Sequence, residues 1–134
     1  MAYAFSKDLE TGNTTIDAQH RELINAINKM LEACSKGQGR TQVAQTANFL
    51  LSYTKKHFAD EERLQMQSKY PDYPNHKRYH DEFVRVVGEL VKELDAKEPD
   101  IVFVGKINNA VAGWLINHIK REDVKVAAHV RAAK

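Results

Sequence analysis

Two pairs of ionisable residues in the middle of the chain are spaced to act together. His57 and Glu61 are four residues apart, and so are His76 and His80. Residues at i and i+4 lie on the same face of a helix, so each pair can direct two side chains to one point. Imidazole binds iron, zinc, copper or nickel, and a carboxylate can join two metal ions. Either pair alone is a weak metal-binding motif.

Histidine also falls on the apolar face of each predicted helix. Five of the six histidines lie on these faces, and the sixth, His129, follows the last of them. A single histidine on such a face is more often an ordinary hydrogen-bonded core residue. Burying a polar group without a partner costs about 1–3 kcal/mol, so five of them need a shared partner, which a metal centre supplies. The five are His20, His57, His76, His80 and His118.

Four helices are needed to position these histidines. Breaks at residues 36–39, 70–74 and 98–100 contain glycine or proline, and apolar residues between them recur at spacings of three and four. The first helix is predicted to begin near Asp17, a suitable N-cap, and the others to cover residues 41–67, 75–96 and from about 100 onwards. The predicted fold class is all-α, an antiparallel up-and-down four-helix bundle with all five histidines towards one end.

The chain length and the apolar pattern predict how the rest is organised. The 134 residues predict a single domain, with an N-terminal arm over 1–16 and the helical bundle over 17–134. Apolar residues in the arm, Tyr3, Phe5 and Leu9, predict that it packs on the bundle. Helical periodicity also places three further side chains on inner faces, namely Cys34, Leu64 and Val104.

Composition narrows the classes of function. A formal net charge of +2 gives no strong case for binding nucleic acid or an acidic membrane surface. No stretch of eighteen consecutive apolar residues occurs, so no membrane span is expected. The single cysteine, Cys34, and an N-terminus without signal-peptide character favour a reducing compartment, and the expected location is the cytoplasm.

The order of these motifs resembles that of the hemerythrin family, in its stand-alone bacterial form, over nearly the whole chain. The motifs are ID-x-QH ending at His20, HF-x-x-EE at 57–62, YP at 70–71, H-x-x-x-H-x-x-F at 76–83 and WL-x-x-HI-x-x-x-D at 114–123. The resemblance implies a non-haem di-iron centre. One iron would be held by His76, His80 and His118, and the other by His20 and His57. Glu61 and Asp123 would bridge the two irons, together with an oxo or hydroxo group.

Spacing alone does not select Asp123. It lies five residues after His118, about 140° further round an ideal helix of 3.6 residues per turn. Glu122, at i+4, fits the ideal geometry better. The resemblance favours Asp123, and Glu122 stays as the alternative carboxylate.

The resemblance also implies a function and a pocket. About eleven of the twelve or so positions around two six-coordinate irons would be filled, leaving one open for dioxygen on the iron with two histidines. Reversible binding needs a dry pocket. We predict that Ile24, Phe58, Trp114, Leu115 and Ile119 form its walls, although ordinary core packing would also explain these residues.

The predicted function is therefore reversible oxygen binding for transport, storage or delivery, without enzymatic activity. The alternatives are an oxygen-sensor module, a di-iron oxidase or peroxidase-type enzyme, and a zinc or manganese site.

Overall fold

Four long helices make up the bundle. The structure, a computed structural model, describes residues 3–37 and 39–132, and within these ranges every regular element is helical. The helices are α1 (Thr14–Ser35), α2 (Arg40–Gln67), α3 (Tyr73–Ala96) and α4 (residues 101–132), and a short turn of 3-10 helix, Lys7–Leu9, precedes them. Successive helices run antiparallel, which confirms the predicted all-α four-helix bundle. In the described ranges we find no helix that has both the length and the apolar character needed to cross a bilayer.

Side-chain caps decide where two of the helices begin. The Asn13 side chain accepts a hydrogen bond of 3.0 Å from the Ile16 backbone N–H, so α1 begins before the predicted start at Asp17. Asp17 instead accepts hydrogen bonds from the backbone N–H (2.9 Å) and hydroxyl (2.7 Å) of Thr11, which holds the turn ahead of the helix. Further along the chain, Asp100 caps α4 by accepting from the Phe103 N–H, so this helix begins near residue 100, as the sequence predicted.

The N-terminal arm is bound to the bundle by hydrogen bonds and by apolar contact. The Tyr3 backbone N–H donates to the Asn28 side chain on α1 at 2.8 Å, and the Tyr3 hydroxyl donates to the Asn108 side chain on α4 at 2.8 Å. Leu9 is buried in the core. These contacts confirm that the arm packs on the bundle.

The fourth helix changes its hydrogen-bond pattern along its length. It is α-helical over Ile101–Lys106, Trp114–His118 and Val124–Ala132, and π-helical over Ile107–Gly113 and Ile119–Asp123. The backbone stays in the right-handed helical region at each junction, so α4 is one continuous rod. A π-helical turn closes i→i+5 hydrogen bonds and therefore holds more residues than an α-helical turn.

The π-helical segments keep one face of α4 directed inwards. Steps of four residues on an ideal α-helix drift by about 40° each, so a series of several such steps would leave the core. In α4 the wider π-helical turns take up this drift. A series at a constant spacing of four is consequently buried throughout: Phe103, Ile107, Val111, Leu115, Ile119, Asp123 and Ala127.

Three of the predicted inner positions are only partly covered. Cys34, Leu64 and Val104 are half-buried. Phe103 is buried in place of Val104, and Gln65 is buried in place of Leu64. The change at Gln65 is unexpected because it places an amide in the core. Within the described part of the chain, neither polar atom of that amide has a hydrogen-bond partner.

The Gln65 amide should therefore reduce stability. Replacing it with a side chain of similar length and no polar atoms, Gln65→Met, should raise the free energy of unfolding by about 1–3 kcal/mol, because an unpaired buried amide is lost. Denaturant unfolding monitored by circular dichroism measures this. Gln67→Met, at an exposed position of the same helix, is the control and should change stability little. A loss of stability in Gln65→Met would show that the amide is satisfied.

Candidate metal centre

Seven polar side chains converge at one end of the bundle, and every helix supplies at least one. All seven are buried, with at most 5% of any residue exposed. The arrangement follows from the antiparallel topology, which brings the starts of α1 and α3 to the same level as the later parts of α2 and α4. The seven are His20 from α1, His57 and Glu61 from α2, His76 and His80 from α3, and His118 and Asp123 from α4.

The histidines fall into two groups. In the three-histidine group (His76, His80 and His118), the Nε2 atoms of His76 and His118 are 3.1 Å apart. The rings of His76 and His80 meet edge to face, with centroids 4.4 Å apart. In the two-histidine group (His20 and His57), the rings also meet edge to face, with centroids 4.9 Å apart.

Glu61 lies between the two groups and faces both. Its Oε1 atom is 2.7 Å from His76 Nε2 and 3.3 Å from His80 Nε2. Its Oε2 atom is 3.3 Å from His57 Nε2 and 3.9 Å from His20 Nε2. One oxygen is therefore directed to each histidine group.

Asp123 repeats this arrangement from α4. Its Oδ1 atom is 3.1 Å from the Nε2 atoms of both His76 and His118. Its Oδ2 atom is 2.9 Å from His20 Nε2. Two carboxylates that each divide their oxygens between the same two histidine groups could hold a pair of ions.

The spacing of these atoms fits metal ligation. Ligand atoms about 2.1 Å from an ion and at right angles to one another are about 3 Å apart, close to the separations seen here. Several of these atoms have no hydrogen-bond partner within the described part of the chain: His20 Nε2, His57 Nε2, His80 Nε2, Glu61 Oε2 and both oxygens of Asp123. The residues present fit two ions, one between the three-histidine group and the carboxylates and the other between the two-histidine group and the same carboxylates.

The electrostatics of the cluster favour charged carboxylates. Burial and the neighbouring Asp123 would raise the pKa of Glu61, but the nearby imidazoles of His57, His76 and His80 outweigh them and lower it. Burial would also raise the pKa of Asp123. His118 and the other imidazoles nevertheless hold that pKa well below its usual value.

The same two carboxylates, Glu61 and Asp123, raise the pKa of His76. Burial alone would lower the pKa of His76, but the nearby carboxylates of Asp123 and Glu61 raise it to about 9. Without a metal this imidazole therefore holds a proton at neutral pH. A bound cation takes over the role of that proton, because metal ligation requires the neutral ring.

The helical pattern of α4 explains why Asp123 joins the cluster. The π-helical turn Ile119–Asp123 places the residue five positions after His118 on the same face as His118. Asp123 is 1% exposed, whereas the Glu122 side chain is 18% exposed and lies 3.9 Å from Lys125. The ideal-helix argument for Glu122 fails because α4 is not an ideal α-helix at this point.

Two of the histidines also contact polar residues outside the cluster. His57 Nδ1 is 2.7 Å from Gln19 Oε1, and Gln19 Nε2 donates to Asp60 at 2.8 Å. His80 Nδ1 is 3.0 Å from Glu62 Oε2. Neither Gln19 nor Glu62 lies four residues from a predicted ligand, but each is adjacent in the sequence to one, His20 and Glu61 respectively.

The residues predicted to wall a pocket surround the cluster in different ways. Ile24, Leu115 and Ile119 are buried in the core. Phe58 is buried too, and its ring stacks on that of His80 with centroids 3.7 Å apart. Trp114 is only half-buried.

Trp114 forms part of a second aromatic stack. Its ring lies between those of Phe83 and His118, with centroids 4.5 Å from each. Trp114 thus covers the three-histidine group on its outer side.

His129 is separate from the cluster. Its Nε2–H donates to the Ser68 carbonyl at 2.7 Å, and its ring contacts Tyr70 edge to face. This contact ties the last turn of α4 to the end of α2.

Comparison with known proteins gives a consistent result. Residues 11–130 match the family model of the hemerythrin HHE cation binding domain. A bacteriohemerythrin of Stenotrophomonas maltophilia is 35% identical, over 93% of this chain and 79% of that protein. A hemerythrin of Themiste dyscrita is 30% identical, over 92% of this chain and 89% of that protein. A solved structure of a hemerythrin point mutant has a similar fold, with a TM-score of 0.82 and 24% identity over 97% of this chain and 96% of that one.

Substituting Asp123 and Glu122 one at a time tests which of the two carboxylates contributes to metal binding. Asp123→Asn should lower the amount of metal bound per chain, because an amide replaces a carboxylate that faces both histidine groups. Glu122→Gln removes the same charge one residue away and should leave the metal content unchanged. Elemental analysis of both proteins after identical metal loading measures the difference. A loss of metal confined to Glu122→Gln would reverse the assignment.

Proposed function

The chain belongs to the hemerythrin family, and we propose on this basis that it holds two iron ions and binds dioxygen reversibly, for transport, storage or delivery. The observation that carries the proposal is the division of carboxylate oxygens. Glu61 and Asp123 each direct one oxygen to the three-histidine group and the other to the two-histidine group. A pair of bridging carboxylates between unequal sets of imidazoles suits a di-iron centre.

Each side chain has a definite role in this proposal. The three-histidine group holds one iron and the two-histidine group holds the other. Glu61 and Asp123 would bridge the two irons, and an oxo or hydroxo group would be a further bridge. The full set of proposed ligands is His20, His57, Glu61, His76, His80, His118 and Asp123.

The unequal division of histidines would determine where oxygen binds. An iron in the three-histidine group would have its positions filled, and an iron in the two-histidine group would keep one open. When bound, the two ferrous ions supply the electrons that make the binding of dioxygen strong yet reversible. The chain contributes the fixed geometry and, through the depressed pKa values of Glu61 and Asp123, two carboxylates that stay charged.

The surrounding apolar residues keep the site dry. Water and protons promote release of bound oxygen as a reduced product, which leaves the irons oxidised. Ile24, Phe58, Leu115 and Ile119 are each no more than 3% exposed. Trp114, stacked on His118, limits access from the outer side. We propose that these five residues wall the oxygen pocket.

The set of donor atoms favours a carrier over an enzyme. Di-iron bundles that oxidise substrates use carboxylate-rich sites built from Glu and Glu-x-x-His motifs. With metal bound, five neutral imidazoles would accompany only two carboxylates, which offers less negative charge to stabilise highly oxidised iron. Carriage of oxygen, without substrate oxidation, is the activity that this set supports.

Metal analysis and an oxygen titration test the proposal together. Protein isolated from its native cells should contain two irons per chain. After anaerobic reduction, its absorption spectrum should change on addition of oxygen and return when oxygen is removed. One zinc per chain, or rapid oxygen consumption with an added reductant, would contradict the proposal.

Shortening a pocket residue should let water reach the irons. Leu115→Ala should shorten the lifetime of the oxygen-loaded protein, because it opens a gap beside His118 in a site that must stay dry. The decay of the oxygen-dependent absorption measures this. Leu94→Ala makes the same change to a buried leucine at the far end of α3. It should reduce stability by about 2–5 kcal/mol without shortening that lifetime. Equal decay in both variants would assign Leu115 to packing alone.

A further inference from the structure

Gln19 has a fixed orientation, and that orientation fixes His57. The side-chain nitrogen of Gln19 is 2.8 Å from Asp60 Oδ2, and a carboxylate can only accept a hydrogen bond. The carbonyl oxygen of Gln19 therefore faces His57 Nδ1, 2.7 Å away. Because a carbonyl oxygen also only accepts, His57 must carry its hydrogen on Nδ1. The lone pair of Nε2 is then directed at the centre.

Asp60 is well placed to hold this arrangement. Its pKa is lowered, chiefly by the hydrogen bond from Gln19, so it is an ionised acceptor. Lys56 and Arg63 approach it from the solvent side at 3.2 and 3.4 Å. Gln19 itself is about nine-tenths buried. The result is a short chain of hydrogen bonds from a surface ion pair to a buried imidazole.

The three-histidine group has a different kind of partner. His80 Nδ1 donates to Glu62 Oε2 at 3.0 Å, so its acceptor is an anionic carboxylate. A hydrogen bond to a charged acceptor is stronger than one to a neutral acceptor. It also makes the imidazole a stronger electron donor at its other nitrogen.

We propose that Gln19 and Glu62 are positioning residues that make the two metal positions unequal in donor strength. Gln19, oriented by Asp60, gives His57 a neutral acceptor, so the position with two histidines is the weaker donor site. Glu62 gives His80 an anionic acceptor and strengthens the other position. This inference rests on the proposed function for the identity of the metal, but it concerns contacts that exist in the protein itself. Its consequence is that an iron held by the two-histidine group would favour the ferrous state.

Metal binding by three proteins tests the positioning role without any oxygen chemistry. Gln19→Leu removes the acceptor of His57 and should weaken one of two cobalt(II) ions about 10–100-fold, leaving the other as in the parent protein. Glu89→Gln, at an exposed carboxylate on α3, should leave both affinities unchanged. Calorimetric titration of the metal-free proteins measures this. Two unaltered affinities in Gln19→Leu would overturn the inference.

The reduction potential tests the difference in charge. In Gln19→Glu/Asp60→Asn the acceptor of His57 becomes anionic while the net charge of the chain is preserved. This variant should have a lower midpoint potential than the parent iron-loaded protein. Glu62→Gln should have a higher one, and Glu89→Gln, which removes the same charge, should match the parent. Mössbauer spectra should show one altered iron in each of the first two variants.

The outcomes separate this inference from the proposed function. Unchanged potentials in both Gln19→Glu/Asp60→Asn and Glu62→Gln would overturn the inference while leaving oxygen binding intact. A parent protein that binds two ions with the expected dependence on Gln19, but shows no reversible response to oxygen, would support the inference and contradict the proposed function. A parent protein that binds only one ion would overturn both.

Discussion

Two carboxylates buried side by side in an apolar bundle constrain the rest of the structure. Glu61 and Asp123 are almost fully buried, and each would raise the other's pKa if nothing compensated. The five surrounding imidazoles supply that compensation, with His76 protonated in the absence of metal. Bound metal cations would neutralise the two carboxylates more completely than the imidazoles do. Because the compensating groups come from α1, α2, α3 and α4, neutralising two charges also holds four helices together at this end.

The opposite end of the bundle is stabilised in an ordinary way. Val43, Leu94 and Phe103 are buried there in a continuous apolar core that also includes Leu31. This division has a physical advantage, because close packing at one end can hold the helices in register whether or not the polar end is loaded. The arm adds to it through Tyr3, which is hydrogen-bonded to both α1 and α4.

Much of this arrangement could be predicted from sequence because it depends on regular helices. The pairs His57/Glu61 and His76/His80 need only the α-helical period, and His20 and His118 need only the level of each helix in an antiparallel bundle. Asp123 could not be derived in this way, since its position depends on the π-helical turn Ile119–Asp123. A signal was nonetheless present in the constant spacing of four along α4, which an α-helix cannot keep on one face. Gln65 gave no such signal, because a glutamine at the edge of an apolar stripe is usually exposed.

The stacking of Trp114 has a consequence for spectroscopy. It is the only tryptophan in the chain, and its ring lies nearly parallel to that of His118, at an angle of 11°. Fluorescence excited at the red edge of indole absorption therefore comes from Trp114 alone. The Trp114 ring is in contact with His118, one of the proposed metal ligands. A coloured metal ion within such a short range quenches that emission by energy transfer. The intensity of a single emission band thus reports, in an unlabelled protein, whether a coloured ion occupies the centre.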